Sequence, residues 1–226
     1  MDKIVIFGIG DFSSLANYYF TKDSDHEVVA FTVNEKYISD DTFEGKPLIS
    51  FEGILNSYPP SEYKLFAPMS FKKMNDNRKK IFEMGKEMGY TFATYISSKA
   101  VIWDDLKVGE NCFITENNAI NPFVEIGDNC TIWNSNHIGH HTKIKNHVFI
   151  TSQVVICGRC VIGNNCFFGV NSSLRDETVV EDYTLIGMGS TIVKDTEKGD
   201  IWISSKSSTK DYKSWDLDSI SHKSKG

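Results

Sequence analysis

From Ile102 to Ile192 an apolar side chain occupies every sixth position without a break: Ile102, Val108, Ile114, Ile120, Ile126, Ile132, Ile138, Ile144, Ile150, Ile156, Ile162, Phe168, Leu174, Val180, Ile186 and Ile192. A helix repeats its buried face about every 3.6 residues and a strand about every 2, so neither produces a period of six. Two residues before each member stands a second series, small or medium in size after Leu106: Cys112, Asn118, Val124, Cys130 and so on to Ser190. Alternate residues of a strand share a face, so both series point into one interior. Three units of six close one triangular turn, and residues eighteen apart stack in columns. The pattern predicts a parallel β-helix of about five coils. Glycine follows the large residue at Gly109, Gly127, Gly139, Gly163, Gly169 and Gly187, which reads as a corner that needs φ > 0.

The 226 residues allow one or two domains with a proper core. A formal charge of −6 and a pI near 5.5 argue against nucleic acid or an anionic membrane as the main partner. No apolar run is long enough to span a bilayer, and the opening MDKIVIFG reads as a strand, not a signal peptide, so a cytoplasmic location is expected. Of the five cysteines, Cys112, Cys130, Cys160 and Cys166 fall on the small inward series, where a thiol acts as a small apolar side chain. With four of the five cysteines on this inward series, no metal is expected.

Ahead of the coils, KIVIF at 3–7, EVVAFTV at 27–33 and YKLFAP at 63–68 read as strands. Helices are expected over about 12–21, at FEGILNSY and over 78–90, with 34–50 polar and turn-rich. This alternation predicts a Rossmann-like parallel α/β half-domain. The divisions are 1–95 for this unit, 96–200 for the β-helix and 201–226 for a C-terminal tail. In the tail Trp202, Tyr212 and Trp215 are expected to pack, and HKSKG to fray. Gly8, Gly10 and Ser13 form a G-x-G-x-x-S turn between strand and helix. Such a turn either brings backbone amides to a phosphate or serves only as a structural turn. A full dinucleotide-binding domain does not fit in so short a segment.

Four of the six histidines lie between His137 and His147: His137, His140, His141 and His147. His140 falls two residues past the inward Ile138, near a corner. Histidine is the side chain that takes a proton at neutral pH. One coil later Gly158 replaces a side chain, which leaves space and a bare amide beside His140. A base next to an amide is what acyl transfer requires.

A Rossmann-like half-domain followed by coils carrying NxNHIGHH resembles the hexapeptide-repeat sugar O-/N-acyltransferases, which include sialic-acid O-acetyltransferase-like and bacillosamine N-acetyltransferase-like proteins. The resemblance covers about residues 1–195. It implies a left-handed β-helix, a homotrimer, and acetyl-CoA as co-substrate in a cleft between neighbouring subunits. It implies His140 as general base. The family often places an acidic orienting group next in sequence, where this chain has His141. The stretches that match its cofactor contacts are Phe149, Gly158, Gly169-Val170 and Gly187-Met188-Gly189. Those that match its nucleotide-sugar contacts are Gly10, Asp11 and Phe12, with an acidic pair after the second strand replaced here by Val33-Asn34. The usual GVPAK-like ending is also absent, with WISSKSSTKDYK in its place. The implied activity is direct acetyl transfer to an amino or hydroxyl group of a nucleotide-linked sugar, for bacterial surface glycan synthesis.

Two other classes share this coil. A γ-carbonic-anhydrase-like enzyme would need three histidine ligands, with a pair spaced five apart that this chain lacks. A non-catalytic binding or assembly module would have no use for the histidines or the N-terminal unit.

Overall fold

The computed structural model describes residues 1–205, 207–209, 211 and 213. The expectations for Tyr212, Trp215 and HKSKG lie outside the described residues.

The N-terminal unit is a sheet of β1 (Lys3–Phe7), β2 (Glu27–Val33), β3 (Thr42–Phe43), β4 (Lys46–Ser50) and β5 (Tyr63–Phe66), in the order β3-β4-β2-β1-β5. β4, β2, β1 and β5 run parallel, and β3 is antiparallel to β4. The β3–β4 hairpin lies in the stretch expected to be polar and turn-rich. The helices are α1 (Asp11–Lys22), α2 (Ile54–Ser57) and α3 (Asp76–Glu87). Period-2 alternation sorts β1 between two layers. Ile4 and Ile6 pack with Ala16 and Phe20 of α1, whereas Val5 and Phe7 pack with Ile54, Ile81 and Phe82 from α2 and α3.

From Lys107 to Ile192, two-residue strands stack into three parallel sheets, each strand pairing eighteen residues on, as in Thr131↔Phe149 and Ile132↔Ile150. Both inward series are buried from Cys112 to Ile192, in one continuous core. Ahead of them Leu106 and Val108 are half-buried, and Ile102, which precedes the first full coil, is 39% exposed. The six-residue period ends at Ile192, but one more strand, Ile201–Trp202, pairs with Leu185–Ile186. The stack therefore extends past residue 200, where the tail was expected to begin, and Trp202 packs against the coil core.

The corner glycines work differently from expectation. The left-handed residue comes two positions after them, at Asn111, Asn117, Phe123, Asn129, Ser135, His141, His147 and every sixth residue to Tyr183, with φ between 55° and 65°. Asparagine is frequent there because its short polar side chain tolerates that conformation. The glycine after each large residue is needed for close approach. A Cβ on Gly139 would lie 2.5 Å from the carbonyl carbon of Cys157 in the next coil.

The outward side of one coil sheet carries Phe113, Phe149 and Phe167, and the N-terminal unit docks there. Phe113 packs edge-on to Tyr19 and Phe66, at 5.7 and 5.5 Å. The start of α3 is bolted to the corner column of Asn129, His147 and Asn165. Arg78, 1% exposed, donates to Asn129 Oδ1 and to the carbonyls of Met69, His147 and Val148. Asn75 donates to the Cys166 carbonyl, and Asn165 to the Met74 carbonyl.

Candidate active site

Two features of this frame carry chemistry. The first is a cleft of about 1160 Å³ at the C-terminal ends of β1 and β2, where open parallel sheets place their ligands. Gly8, Gly10, Asp11, Phe12, Ser13, Val33 and Asn34 all line it. Gly8 has φ 115°, and a Cβ there would meet Ser13 Oγ at 2.5 Å, so only glycine fits. Gly10 caps α1 with extended backbone, and a Cβ on it would meet nothing within 4 Å. The amides of Asp11 and Phe12 have no acceptor among the described residues, which is the arrangement that receives an anion at a helix start. Ser13 contributes less than its place in the motif indicates. Its hydroxyl turns inward to the Phe7 carbonyl and its amide bonds to Gly10.

The sequence reading missed the rest of the cleft wall. Lys72 and Lys80 face it from the loop after β5 and from α3, and Tyr37 and Glu52 from beyond β2. Glu52 stands where the acidic pair is absent. Burial works against its charge, but hydrogen bonds from Ser50, its own amide, the Glu35 amide and the Asn34 side chain outweigh that and hold the carboxyl at about 2. Glu52 is eighteen residues beyond Asn34, so no local motif reveals the pairing.

The second feature is the His140 corner. The coil disperses the histidine cluster. His137 points outward from a sheet, His147 is buried on the next corner under α3, and only His140 and His141 meet, Nδ1 to Nδ1 at 3.1 Å. One of the facing nitrogens must carry a proton. If it is His140, its Nε2 keeps a lone pair and His141 acts as the acceptor that orients the ring. His141 sits in the left-handed corner position with its ring 4.6 Å from that of Phe123. Among the described residues no group of three or more His, Cys, Asp or Glu could hold a metal ion.

Gly158 leaves room for His140, as expected: a Cβ there would lie 2.9 Å from Nε2 and Cε1 of the ring. The expectation of a bare Gly158 amide fails. That N–H donates to Asp176 Oδ1 at 2.9 Å, because Asp176 lies one coil further along the same column. Stacked polar side chains cap amides in the same way on another corner, from Asp128 to the Glu110 amide and from Asn146 to the Asp128 amide.

The expected cofactor residues divide. Phe149 is 1% exposed, buried beneath Phe71, Phe167 and Arg78, so it is a docking residue and not a ligand contact. Gly169-Val170 and Gly187-Met188-Gly189 lie on a different corner column from His140, joined by the Gly189 amide to the Val170 carbonyl. Met188 is 71% exposed there. One chain therefore does not bring them to His140.

Residues 123–158 match the profile of the bacterial transferase hexapeptide family, described as six repeats. The fold is that of the acetyltransferase domain of PglB from Neisseria gonorrhoeae FA1090, with a TM-score of 0.77 and 17% identity over 89% of this chain and 96% of that one. It is equally that of a variant of perosamine N-acetyltransferase from Caulobacter crescentus in complex with CoA and GDP-perosamine, with a TM-score of 0.78 and 19% identity over 89% and 93% of the two chains. WeeI from Acinetobacter baumannii AYE aligns with a TM-score of 0.50 and 17% identity over 84% and 96%. No curated protein matches by sequence. The resemblance read from the residues holds for the repeat and for the whole fold, a left-handed β-helix behind an α/β unit.

Proposed function

We propose that this chain is an acetyl-CoA-dependent acetyltransferase acting on an amino or hydroxyl group of a nucleotide-linked sugar, in the cytoplasm and for bacterial surface glycan synthesis. The observation that carries the reading is the His140–His141 pair, with Nε2 of His140 turned into the space that Gly158 leaves open. The Caulobacter crescentus neighbour, which holds CoA and GDP-perosamine, supports both substrate classes.

In the reaction His140 Nε2 takes a proton from the acceptor as its nucleophile attacks the thioester carbonyl. A new C–N or C–O bond forms, the C–S bond breaks, and the proton goes to the departing thiolate. General-base catalysis of this kind contributes roughly 10²–10⁴-fold. His141 accepts from Nδ1 and fixes the ring. The cleft beneath α1 binds the nucleotide through the Asp11 and Phe12 amides, with Lys72 and Lys80 as counter-charges. The corner at Gly169-Val170 and Gly187-Met188-Gly189 serves the cofactor when it faces His140 of a neighbouring subunit, which requires a homotrimer. Light scattering that gave a 25.6 kDa monomer at micromolar concentration would remove that arrangement.

The test of the activity is a screen of nucleotide-linked amino and neutral sugars with acetyl-CoA, read by free thiol. Acceptor-dependent thiol release is expected. Release no faster than thioester hydrolysis across the panel would end the reading.

A further inference from the structure

His140 Nε2 and Asp176 Oδ1 lie 2.9 and 3.3 Å from one point, the place a Cβ on Gly158 would take. They are at most roughly two hydrogen-bond lengths apart. No hydrogen bond or ion pair joins them among the described residues; Asp176 is tied to the Gly158 amide and His140 to His141. His140 and Asp176 thus flank the Gly158 backbone, a base on one side and a carboxylate on the other. Asp176 is exposed and is held in place by its bond from the buried Gly158 amide.

We infer that Asp176 is a specificity-determining residue that binds the attacking atom of the acceptor and selects an amine over a hydroxyl. This rests on the transferase reading of the same corner. A neutral amine carries two hydrogens on nitrogen. One goes to His140 Nε2 during attack and then to the thiolate, while the other donates to the Asp176 carboxylate and remains in the product amide. A hydroxyl has a single hydrogen, which the base must take. Its oxygen then faces the carboxylate with no donor between them, and the ester product keeps none.

The experiment compares wild type, Asp176→Asn and Asp176→Ala on matched acceptors, GDP-perosamine and other nucleotide-linked amino sugars against their hydroxyl counterparts. Asp176→Asn keeps an oxygen for the Gly158 amide, which separates loss of charge from loss of the corner contact. Wild type is expected to prefer the amine, and both variants to lose at least tenfold in kcat/KM for it. The hydroxyl acceptors and the KM for acetyl-CoA should change less than threefold. Equal losses on both acceptor types, no loss on the amine, or a wild-type preference for hydroxyls each overturn the assignment. His140→Ala separates the two readings. If that variant stays active the base lies elsewhere, and if wild type turns over no acceptor at all the transferase reading fails; in either case the assignment of Asp176 fails with it.

Discussion

The Asn129 side-chain amide lies 2.8 Å from Nδ1 of His147, and the contact requires the histidine to be neutral there. Burial, followed by the charges of Lys79 and Arg78, lowers the His147 pKa to about 4, against a smaller opposing effect of Asp76. The unfolded chain therefore takes this proton first as pH falls. The contact's stability is fully present above about pH 6.5 and is lost as pH drops toward about 4. At pH 5, still above the folded value, the loss is on the order of 2 kcal/mol. Urea unfolding at pH 7.5 and pH 5 should show wild type losing more stability than His147→Asn, which suits the left-handed corner. Equal losses would remove His147 from the pH response.

Arg78 is buried without a carboxylate partner among the described residues, and burial lowers its pKa only to about 10, so it stays charged at neutral pH. Arg78→Met leaves the Met69 and His147 carbonyls without their donor. It should destabilise the protein by about 2–4 kcal/mol in urea unfolding. Arg78→Lys should recover less than half, because a compact ammonium cannot span acceptors on three segments. A Met variant as stable as wild type would show that the docking of α3 does not depend on this residue.

His140→Ala should lower kcat by about 10²-fold or more, with little change in acetyl-CoA affinity. His141→Ala should cost less, since water can replace an orienting acceptor in part. Rates for His140→Ala within a few-fold of wild type would mean that the base lies elsewhere.

Gly10→Val tests the cleft separately from the chemistry. The φ of Gly10 is −115° and a Cβ there meets open space, so the variant should fold. Its branched side chain would project where a phosphate must approach the helix start. The KM for the sugar nucleotide should rise by at least tenfold, about 1.4 kcal/mol, while that for acetyl-CoA stays unchanged. An unaltered acceptor KM would make the turn structural only.

The six-residue series alone determined the coil, its inward face and its columns, because each unit repeats the same local constraint: a large and a small residue on one side of a short strand. The strand-to-helix turn at Gly8 and Gly10 was legible for the same reason, since its requirements lie within a few residues. The tertiary structure decided what becomes of side chains at the corners. His137, His140 and His147 are neighbours in sequence, but each step around the prism turns the next to another face, so the cluster does not assemble. Phe149 could pass for a ligand contact until α3 and the loop after β5 were seen to cover it. The Gly158 amide appeared free because its partner, Asp176, lies one coil away. Glu52 and Arg78 gave no signal because their partners come from other segments of the chain. Contacts between columns and between the two units depend on how the finished coil stacks and docks, and no local period encodes that.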